Sequence, residues 1–130
     1  MIGRHTLADH EVLVVEDDWF IASYVSDALQ NAGAAVVGPF ATAADALRQL
    51  EDAHLPRAAT LNVRLADGSS EPVARRLDEL DVPFLFLSAQ GRESLPPDLA
   101  ARPRLEKPFG GFQVVEAVAA LLAAADVSGR

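Results

Sequence analysis

The sequence predicts an α/β domain built on a five-stranded parallel sheet with helices on both faces. Three observations predict it. Five short apolar segments alternate with longer segments whose apolar residues recur at helical spacing. The first and fourth of these segments carry continuous apolar runs, "VLVV" and "PFLFL", as expected of strands buried on both faces of a parallel sheet. The chain has 130 residues, 50% of them hydrophobic, which suits one domain with one sizeable core.

Composition also excludes several classes of protein. The absence of cysteine excludes disulfides, thiolate metal sites and a cysteine nucleophile. The formal net charge of −8 argues against a general nucleic-acid surface, which needs a basic patch. No run of 18 apolar residues indicates a membrane span, and the N-terminal segment lacks the apolar core of a secretory signal. We therefore expect a cytoplasmic protein that binds neither membranes nor nucleic acid.

The first two strand-helix units are clearly delimited. The run "VLVV" predicts a buried strand, and Asp18 is placed to cap the helix that follows, which ends near Gly33. The segment "AAVVGPF" predicts a second short strand. Thr42 then caps a helix predicted to place Ala44, Leu47 and Leu50 on one side.

Three further units complete the pattern. The segment "AATLNV" predicts the third strand, followed by a helix with serine caps and an early Pro72. "PFLFLSA" predicts the fourth strand. "QGRESLPPDLAARP" supports at most a short fourth helix, because it contains adjacent prolines and few apolar residues. "PRLEKPF" predicts a short fifth strand that stops at Pro108, and a long apolar helix ends the domain. We expect an N-terminal arm over 1–10, a domain over 11–125 and a tail over 126–130.

Polar residues follow four of the predicted strands at the same edge of the sheet. Glu16, Asp17 and Asp18 follow the first strand, Asn62 ends the third, Ser88 ends the fourth and Lys107 follows the fifth; these form the candidate site. Functional crevices in open parallel sheets lie at the carboxyl ends of the strands. Adjacent carboxylates with a neighbouring oxygen ligand suit Mg²⁺, and a hydroxyl and an ammonium suit the oxygens of a phosphoryl group. Each residue alone is equally typical of a helix start, a loop or a solvated chain end.

The segments "VLVVEDD", "LNV", "FLFLSA" and "LEKPF" resemble, in this order, the motifs of response-regulator receiver domains of two-component signalling. The resemblance covers roughly residues 11–124. It implies a flavodoxin-like doubly wound fold with the strand order 2-1-3-4-5.

The resemblance also implies roles for individual residues. Asp17 would bind Mg²⁺ directly, Glu16 through water, and the backbone carbonyl of Arg64 would complete the metal site. Ser88 and Lys107 would contact the phosphoryl group. An aspartate that ends the third strand accepts that group in the family.

The chain departs from this pattern in three places. Asn62 occupies the phospho-acceptor position, and a neutral amide oxygen is not a nucleophile that forms an acyl phosphate. Arg104 occupies a position that is an aromatic switch residue in many receivers. The segment "RLADGSS" lacks the usual proline and is short. Asn62 also removes a negative charge from an acidic pocket, so we expect any Mg²⁺ site to be weakened.

Three interpretations of Asn62 follow. The chain is a native pseudo-receiver that acts as a signalling or protein-interaction module without phosphorylation. Alternatively, it is an ordinary receiver in which the acceptor aspartate has been changed to asparagine. In the third interpretation another acid, Asp67 or Asp18, accepts the phosphoryl group, although "ADG" is more typical of a turn.

Partners and catalysis follow from the same resemblance. We expect a sensor histidine kinase, a phosphotransfer protein or a downstream protein as partner, and a stand-alone receiver or one cut from a longer protein. The outer face of the last helix predicts either a homodimer contact or only high helix propensity; its small residues are Ala117, Ala119, Ala120, Ala123, Ala124 and Ala125. A phosphatase of the haloacid-dehalogenase kind is the enzymatic alternative. It requires a second aspartate two residues after Asp17, where the chain has Trp19, so we predict no enzyme.

Overall fold

Seven strands and five helices are present in the parts of the chain that the computed structural model describes, residues 7–89 and 95–127. The strands are β1 (Glu11–Val15), β2 (Ala35–Phe40), β3 (Ala58–Asn62), β4 (Arg64–Leu65), β5 (Gly68–Ser69), β6 (Phe84–Ser88) and β7 (Arg104–Glu106). The helices are α1 (Trp19–Asn31), α2 (Ala43–Gln49), α3 (Glu71–Glu79), α4 (Pro97–Ala100) and α5 (Gly111–Val127).

Five of the strands form one parallel sheet in the order β2-β1-β3-β6-β7. Counted along the chain, these strands have the order 2-1-3-4-5, so the predicted flavodoxin-like fold is confirmed. The chain leaves β1 first toward β2 and then crosses back to β3 on the other side. The carboxyl ends of β1 and β3 therefore form the switch point at which such folds bind ligands.

The core has two layers because alternate strand residues face opposite sides of the sheet. Leu13, Leu61 and Phe86 are buried with residues of α2, α3 and α4. Val14 and Leu87 are buried on the other side, against residues of α1 and α5. The inner strands β1, β3 and β6 are buried along nearly their whole length because both of their faces are covered, as predicted, whereas the edge strands β2 and β7 are partly exposed.

The helix starts agree largely with the sequence. The Asp18 carboxylate accepts hydrogen bonds from Phe20 and Ile21, and the Thr42 hydroxyl accepts one from Asp45. The predicted buried face of α2 is partly wrong. Ala44 is exposed, whereas Ala43 and Ala46 are buried.

The start of α3 shows which of the two serines forms the cap. Ser70 is the N-cap residue, but its side chain makes no capping hydrogen bond. The hydroxyl of Ser69, one position earlier, accepts from the N–H of Glu71 at 3.0 Å. The predicted serine cap of this helix is therefore present, and it is supplied by Ser69.

The fourth helix is a single turn, as its prolines predicted, and residues 90–94 of that predicted segment lie outside the described residues. Two arginine–carboxylate contacts connect this region to α3: Arg75 to Asp98 at the start of α4, and Arg102 to Asp78. The guanidinium of Arg102 also lies 4.6 Å from the ring centre of Phe84. Ion pairs with α3 therefore hold the short α4 region in place near β7, where a long helix would otherwise pack.

Other parts of the structure were not anticipated. The strands β4 and β5 form a small antiparallel hairpin immediately after β3. Leu7, within the predicted arm, is fully buried against the α1–α5 side, and residues 1–6 and 128–130 of the predicted arm and tail lie outside the described residues. Ala117 and Ala119 of the predicted outer face of α5 are partly buried against the core, whereas Ala120 and Ala123 are exposed. No helix within residues 7–89 and 95–127 is long and apolar enough to cross a membrane.

Candidate functional site

The candidate site lies at the carboxyl ends of β1, β3, β6 and β7. Asn62 is the last residue of β3 and Ser88 the last of β6, while Glu16 and Asp17 follow β1 and Lys107 follows β7. Parallel pairing brings these chain positions to one edge of the sheet, as the sequence predicted.

Asn62 is the centre of this site and is only 8% exposed. Its Nδ2 atom donates to Oδ1 of Asp17 at 3.1 Å and to the backbone carbonyl of Arg64. Its Oδ1 atom accepts from Nζ of Lys107 at 3.0 Å. The amide thereby links β1, the hairpin after β3 and the segment after β7.

The chemistry of the three partners fixes the orientation of this amide. An ammonium group only donates hydrogen bonds, so the oxygen of Asn62 must face Lys107. A carboxylate and a carbonyl oxygen accept, so the NH₂ group must face Asp17 and Arg64. One orientation satisfies all three contacts, and the reverse orientation satisfies none.

Glu16 is the buried acid of the site, with 2% of its surface exposed. Its Oε2 atom accepts from the N–H of Asp18 at 3.1 Å, and its Oε1 atom lies 3.4 Å from Nζ of Lys107. Burial raises the pKa of Glu16, and the Asp18 N–H and the Lys107 charge partly oppose that rise. Glu16 is therefore a desolvated acid that is partly compensated by one backbone N–H group and one ammonium.

Ser88 and Arg104 complete the set of predicted residues. Ser88 is 1% exposed, and its hydroxyl makes no hydrogen bond within the described residues. Its carbonyl accepts from the N–H of Lys107 at 2.8 Å, which holds the ends of β6 and β7 together. Arg104 is exposed on β7, and Leu105 beside it packs on the α1–α5 side of the core.

The comparisons with known proteins decide the family. No family model matches the chain. The phyllosphere-induced regulator PhyR of Methylorubrum extorquens is 31% identical over 91 residues, which are 67% of this chain and 34% of PhyR. The solution structure of SdrG from Sphingomonas melonis Fr1 is 38% identical, has a TM-score of 0.76 and covers 90% of this chain and 98% of SdrG. A crystal structure assigned as a response regulator from Chloroflexus aurantiacus J-10-fl is 30% identical, has a TM-score of 0.77 and covers 88% of this chain and 98% of that one.

The chain belongs to the response-regulator receiver domains. It spans about a third of the length of PhyR. The resemblance of the motifs and the predicted fold of this receiver are thereby confirmed.

The two alternative acceptor acids of this receiver are both held at helix starts. Asp18 accepts from the N–H groups of Phe20 and Ile21 at 3.0 and 3.2 Å. Asp67, in the turn of the β4–β5 hairpin, accepts from Ala43 and Ala44 at 2.8 and 3.1 Å. It caps α2 across a long sequence separation, and these N–H groups lower the pKa of its carboxyl.

The cap formed by Asp67 has no clear signal in the sequence. The "ADG" motif indicates a turn, but a carboxylate that caps a helix 24 positions earlier leaves no local pattern. The acidic residue in the turn after β3 is the only feature of the sequence that points to this cap.

The arrangement of oxygens does not suit Mg²⁺. Two of the three ligands that the resemblance implies, Asp17 and the Arg64 carbonyl, accept from the NH₂ group of Asn62. The third, Glu16, faces Lys107. No group of three or more acidic or histidine side chains within residues 7–89 and 95–127 is placed to hold a metal ion. A cation between Asp17 and Arg64 would have to displace the amide.

Proposed function

We propose that this receiver is a signalling or protein-interaction module that works without phosphorylation of position 62. Transfer from a phosphohistidine requires a nucleophilic oxygen at the acceptor position, and the amide oxygen of Asn62 is neutral. That oxygen is also held by Lys107 at 3.0 Å. Asp18 and Asp67, the two alternative acceptor acids, are held at helix starts by backbone N–H groups.

The observation that carries this proposal is the set of three bonds made by Asn62. Its NH₂ group supplies two donors to the oxygens of Asp17 and Arg64, where the family places a cation. Those oxygens already accept hydrogen bonds from a neutral group of the chain itself. We therefore propose that the site is complete without Mg²⁺, and that this receiver holds one conformation rather than switching between two.

Partner binding follows as the function of such a module. A sensor histidine kinase, a phosphotransfer protein or a downstream protein would bind without exchanging a phosphoryl group. No catalytic activity of its own is part of this proposal. The chain spans about a third of PhyR, so the activity of that whole protein is not transferred to it.

The competing proposal is an ordinary receiver with an introduced asparagine. Arg104 at the switch position and the short segment after β3 favour a native asparagine, because a single introduced substitution would not produce them. Sequencing codon 62 of the chromosomal gene separates the two proposals. An aspartate codon would contradict the native pseudo-receiver.

Phosphorylation itself is tested by mass. The protein is incubated with Mg²⁺ and acetyl phosphate and weighed intact, in parallel with Asn62→Asp and with Asn62→Ala as the variant that has no acceptor. We expect no phosphoryl adduct on the wild type or on Asn62→Ala, and an adduct on Asn62→Asp. A stoichiometric adduct on the wild type would overturn the proposal, and peptide mapping would then assign it to Asp18 or Asp67.

Beryllium fluoride provides a second readout. The relative SdrG has been solved in a BeF₃-activated conformation. We expect the amide NMR spectrum of the wild type to be unchanged by beryllium fluoride and Mg²⁺. The same addition should shift resonances around Ser88 and Lys107 in the Asn62→Asp variant, because a carboxylate oxygen is then available to the beryllium.

A further inference from the structure

An open groove of about 530 Å³ lies between α2 and α3. Ala44 and Leu47 line it from α2, and Asp67 lines it from the turn of the β4–β5 hairpin. Glu71 and Pro72 line it from the first turn of α3. None of these five residues belongs to the set that surrounds Asn62, so the groove is a separate feature of the surface.

The β4–β5 hairpin forms one side of the groove and is held at its base and at its turn. At the base, the carbonyl of Arg64 accepts from the Asn62 side chain. At the turn, the N–H of Ala66 donates to the carbonyl of Ala41 at 3.1 Å, and the Asp67 carboxylate accepts from the first two N–H groups of α2. The groove is therefore formed before any partner binds, which lowers the ordering cost of binding.

The apolar part of the lining is a narrow strip rather than a broad face. Leu47 is half-buried and packs against the core, whereas Ala44 and Pro72 are exposed. We call these three residues the apolar strip. A strip of this kind suits the aliphatic stem of a long side chain, which covers apolar surface while its charged end reaches a polar group.

The charged part of the lining is mainly acidic. Among the described residues that line the groove, Arg75 is the one basic side chain, and it already contacts two acids, Glu71 at 3.3 Å and Asp98 at a shorter distance. Asp67 is hydrogen-bonded to neutral N–H groups, which leave its charge uncompensated. Because each carboxylate oxygen has a second lone pair, these acids can accept further hydrogen bonds from a partner.

We infer that this groove binds an arginine side chain that a short segment of a partner protein presents beside an apolar residue. The planar guanidinium donates two parallel hydrogen bonds to a carboxylate, and its stem lies along the apolar strip. The acidic lining favours a basic partner by charge complementarity and opposes a second copy of the same surface. The inference names the partner chemistry of the proposed module and in that sense rests on it.

The test uses a synthetic peptide as the probe. The peptide is capped at both ends, has about eight residues, which span about 26 Å when extended, and carries two arginines flanked by leucine and alanine. It is titrated to millimolar concentration into the ¹⁵N-labelled protein. One matched peptide carries citrulline in place of each arginine, which keeps the stem and removes the charge, and a second carries glutamate.

The arginine peptide should act on one region of the amide NMR spectrum. We expect it to shift the amides of residues 42–47, of the hairpin over 64–69 and of the first turn of α3. The citrulline peptide should bind about tenfold more weakly or less, because it makes no charge-assisted hydrogen bonds, and the glutamate peptide should not bind.

Variants test the site of binding. Ala44→Arg places a guanidinium of the chain itself in the groove and should weaken binding of the arginine peptide about tenfold, whereas Ala123→Arg adds the same charge to an exposed position of α5 and should not weaken it. Glu71→Gln should weaken binding about threefold. Glu79→Gln removes the same charge from the other end of α3, where Glu79 contacts Arg76, and should leave binding unchanged.

Several outcomes would overturn the inference. These are a flat titration, equal binding of the citrulline or glutamate peptide, equal binding by Ala44→Arg, and shifts confined to other faces. A wild-type dimer in light scattering that Ala44→Arg abolishes would identify a second copy as the occupant instead. Failure of the proposed function has a separate readout, because an acetyl phosphate adduct on the wild type says nothing about the peptide, and the peptide titration reports no phosphorylation.

Discussion

Nζ of Lys107 lies 3.0 Å from Oδ1 of Asn62 and 3.4 Å from Oε1 of Glu16. One ammonium thus serves a neutral acceptor and a buried acid, and it fixes the amide so that the NH₂ group faces Asp17 and Arg64. Asn62, at the acceptor position of the family, therefore makes the hydrogen bonds that hold the site together. This relationship determines how substitutions at the site should behave.

Asn62→Asp should make the stability of the protein depend on Mg²⁺. The substitution places a carboxylate oxygen against the Asp17 carboxylate and the Arg64 carbonyl, so two donors are lost and like charges meet. We expect a loss of about 1–3 kcal/mol in unfolding free energy in the presence of a chelator. Binding of Mg²⁺ to the folded state should restore part of the lost unfolding free energy.

Urea unfolding with EDTA and with saturating Mg²⁺ measures this effect. The wild type should have the same midpoint in both conditions. Asn62→Ala, which also lacks the donors but adds no charge, should be destabilised without responding to Mg²⁺. A wild-type midpoint that rises with Mg²⁺ as steeply as that of Asn62→Asp would contradict a complete metal-free site.

Much of this architecture could be predicted because it depends on local patterns. Continuous apolar runs specified the inner strands β1 and β6, and parallel pairing brought Asn62, Ser88 and Lys107 to one edge. The direction of the Asn62 hydrogen bonds could not be predicted, because it depends on the course of the chain at Arg64, beyond the end of β3. The cap formed by Asp67 is equally non-local. The face of α2 was assigned with the wrong phase at Ala44, since alanines on both sides of a helix leave its periodicity ambiguous.

Gly38→Ala should destabilise the fold at the junction of β1 and β2. Gly38 has a φ of +105°, and a Cβ atom there would lie 2.9 Å from the Val14 carbonyl oxygen. Backbone strain and this contact together should cost about 1–3 kcal/mol. Chemical denaturation measures it, with Gly110→Ala as the control, where the nearest atom to the added Cβ is 3.8 Å away. Equal stability of the two variants would show that strand β2 adapts to the side chain.

Asp67→Asn should lower the melting temperature at neutral pH and lose its effect in acid. The carboxylate accepts from Ala43 with one oxygen and from Ala44 with the other, and asparagine offers a single oxygen without charge. The pKa of Asp67 is lowered in the folded state below the 3.8 of a free aspartate. Its contribution to stability is therefore present above pH 3.8 and is lost as the pH falls through the lowered pKa.

Thermal unfolding of Asp67→Asn and wild type from pH 2 to 7 follows this contribution. The difference in melting temperature should shrink as the pH falls below 3.8. Asp27→Asn, which removes the same charge from the exposed face of α1, is the matched control and should show little difference at any pH. A constant difference between Asp67→Asn and wild type across the range would mean that the carboxylate charge does not act through the α2 cap.

Lys107→Met should lower the unfolding free energy because Glu16 is buried. The variant keeps the apolar stem but leaves the buried carboxylate without its positive partner, which in buried pairs costs about 3 kcal/mol. The folded pKa of Glu16 already lies above 4.5 and should rise further. Because the folded state then holds a proton that the unfolded state releases, the deficit in stability should be small below pH 4.5 and grow as the pH rises toward the raised pKa.

Two comparisons isolate this effect of Lys107. Arg104→Met removes an exposed positive charge from β7, three residues before Lys107, and should change stability little. Adding Glu16→Gln to Lys107→Met should recover much of the deficit at neutral pH, because no buried charge then remains. Urea unfolding at pH 4 and pH 7 measures the stability of the wild type, the two single variants and the double variant. A deficit of Lys107→Met that is equal at both pH values would show that the lysine stabilises the fold through Asn62 alone, and not through the buried acid beside it.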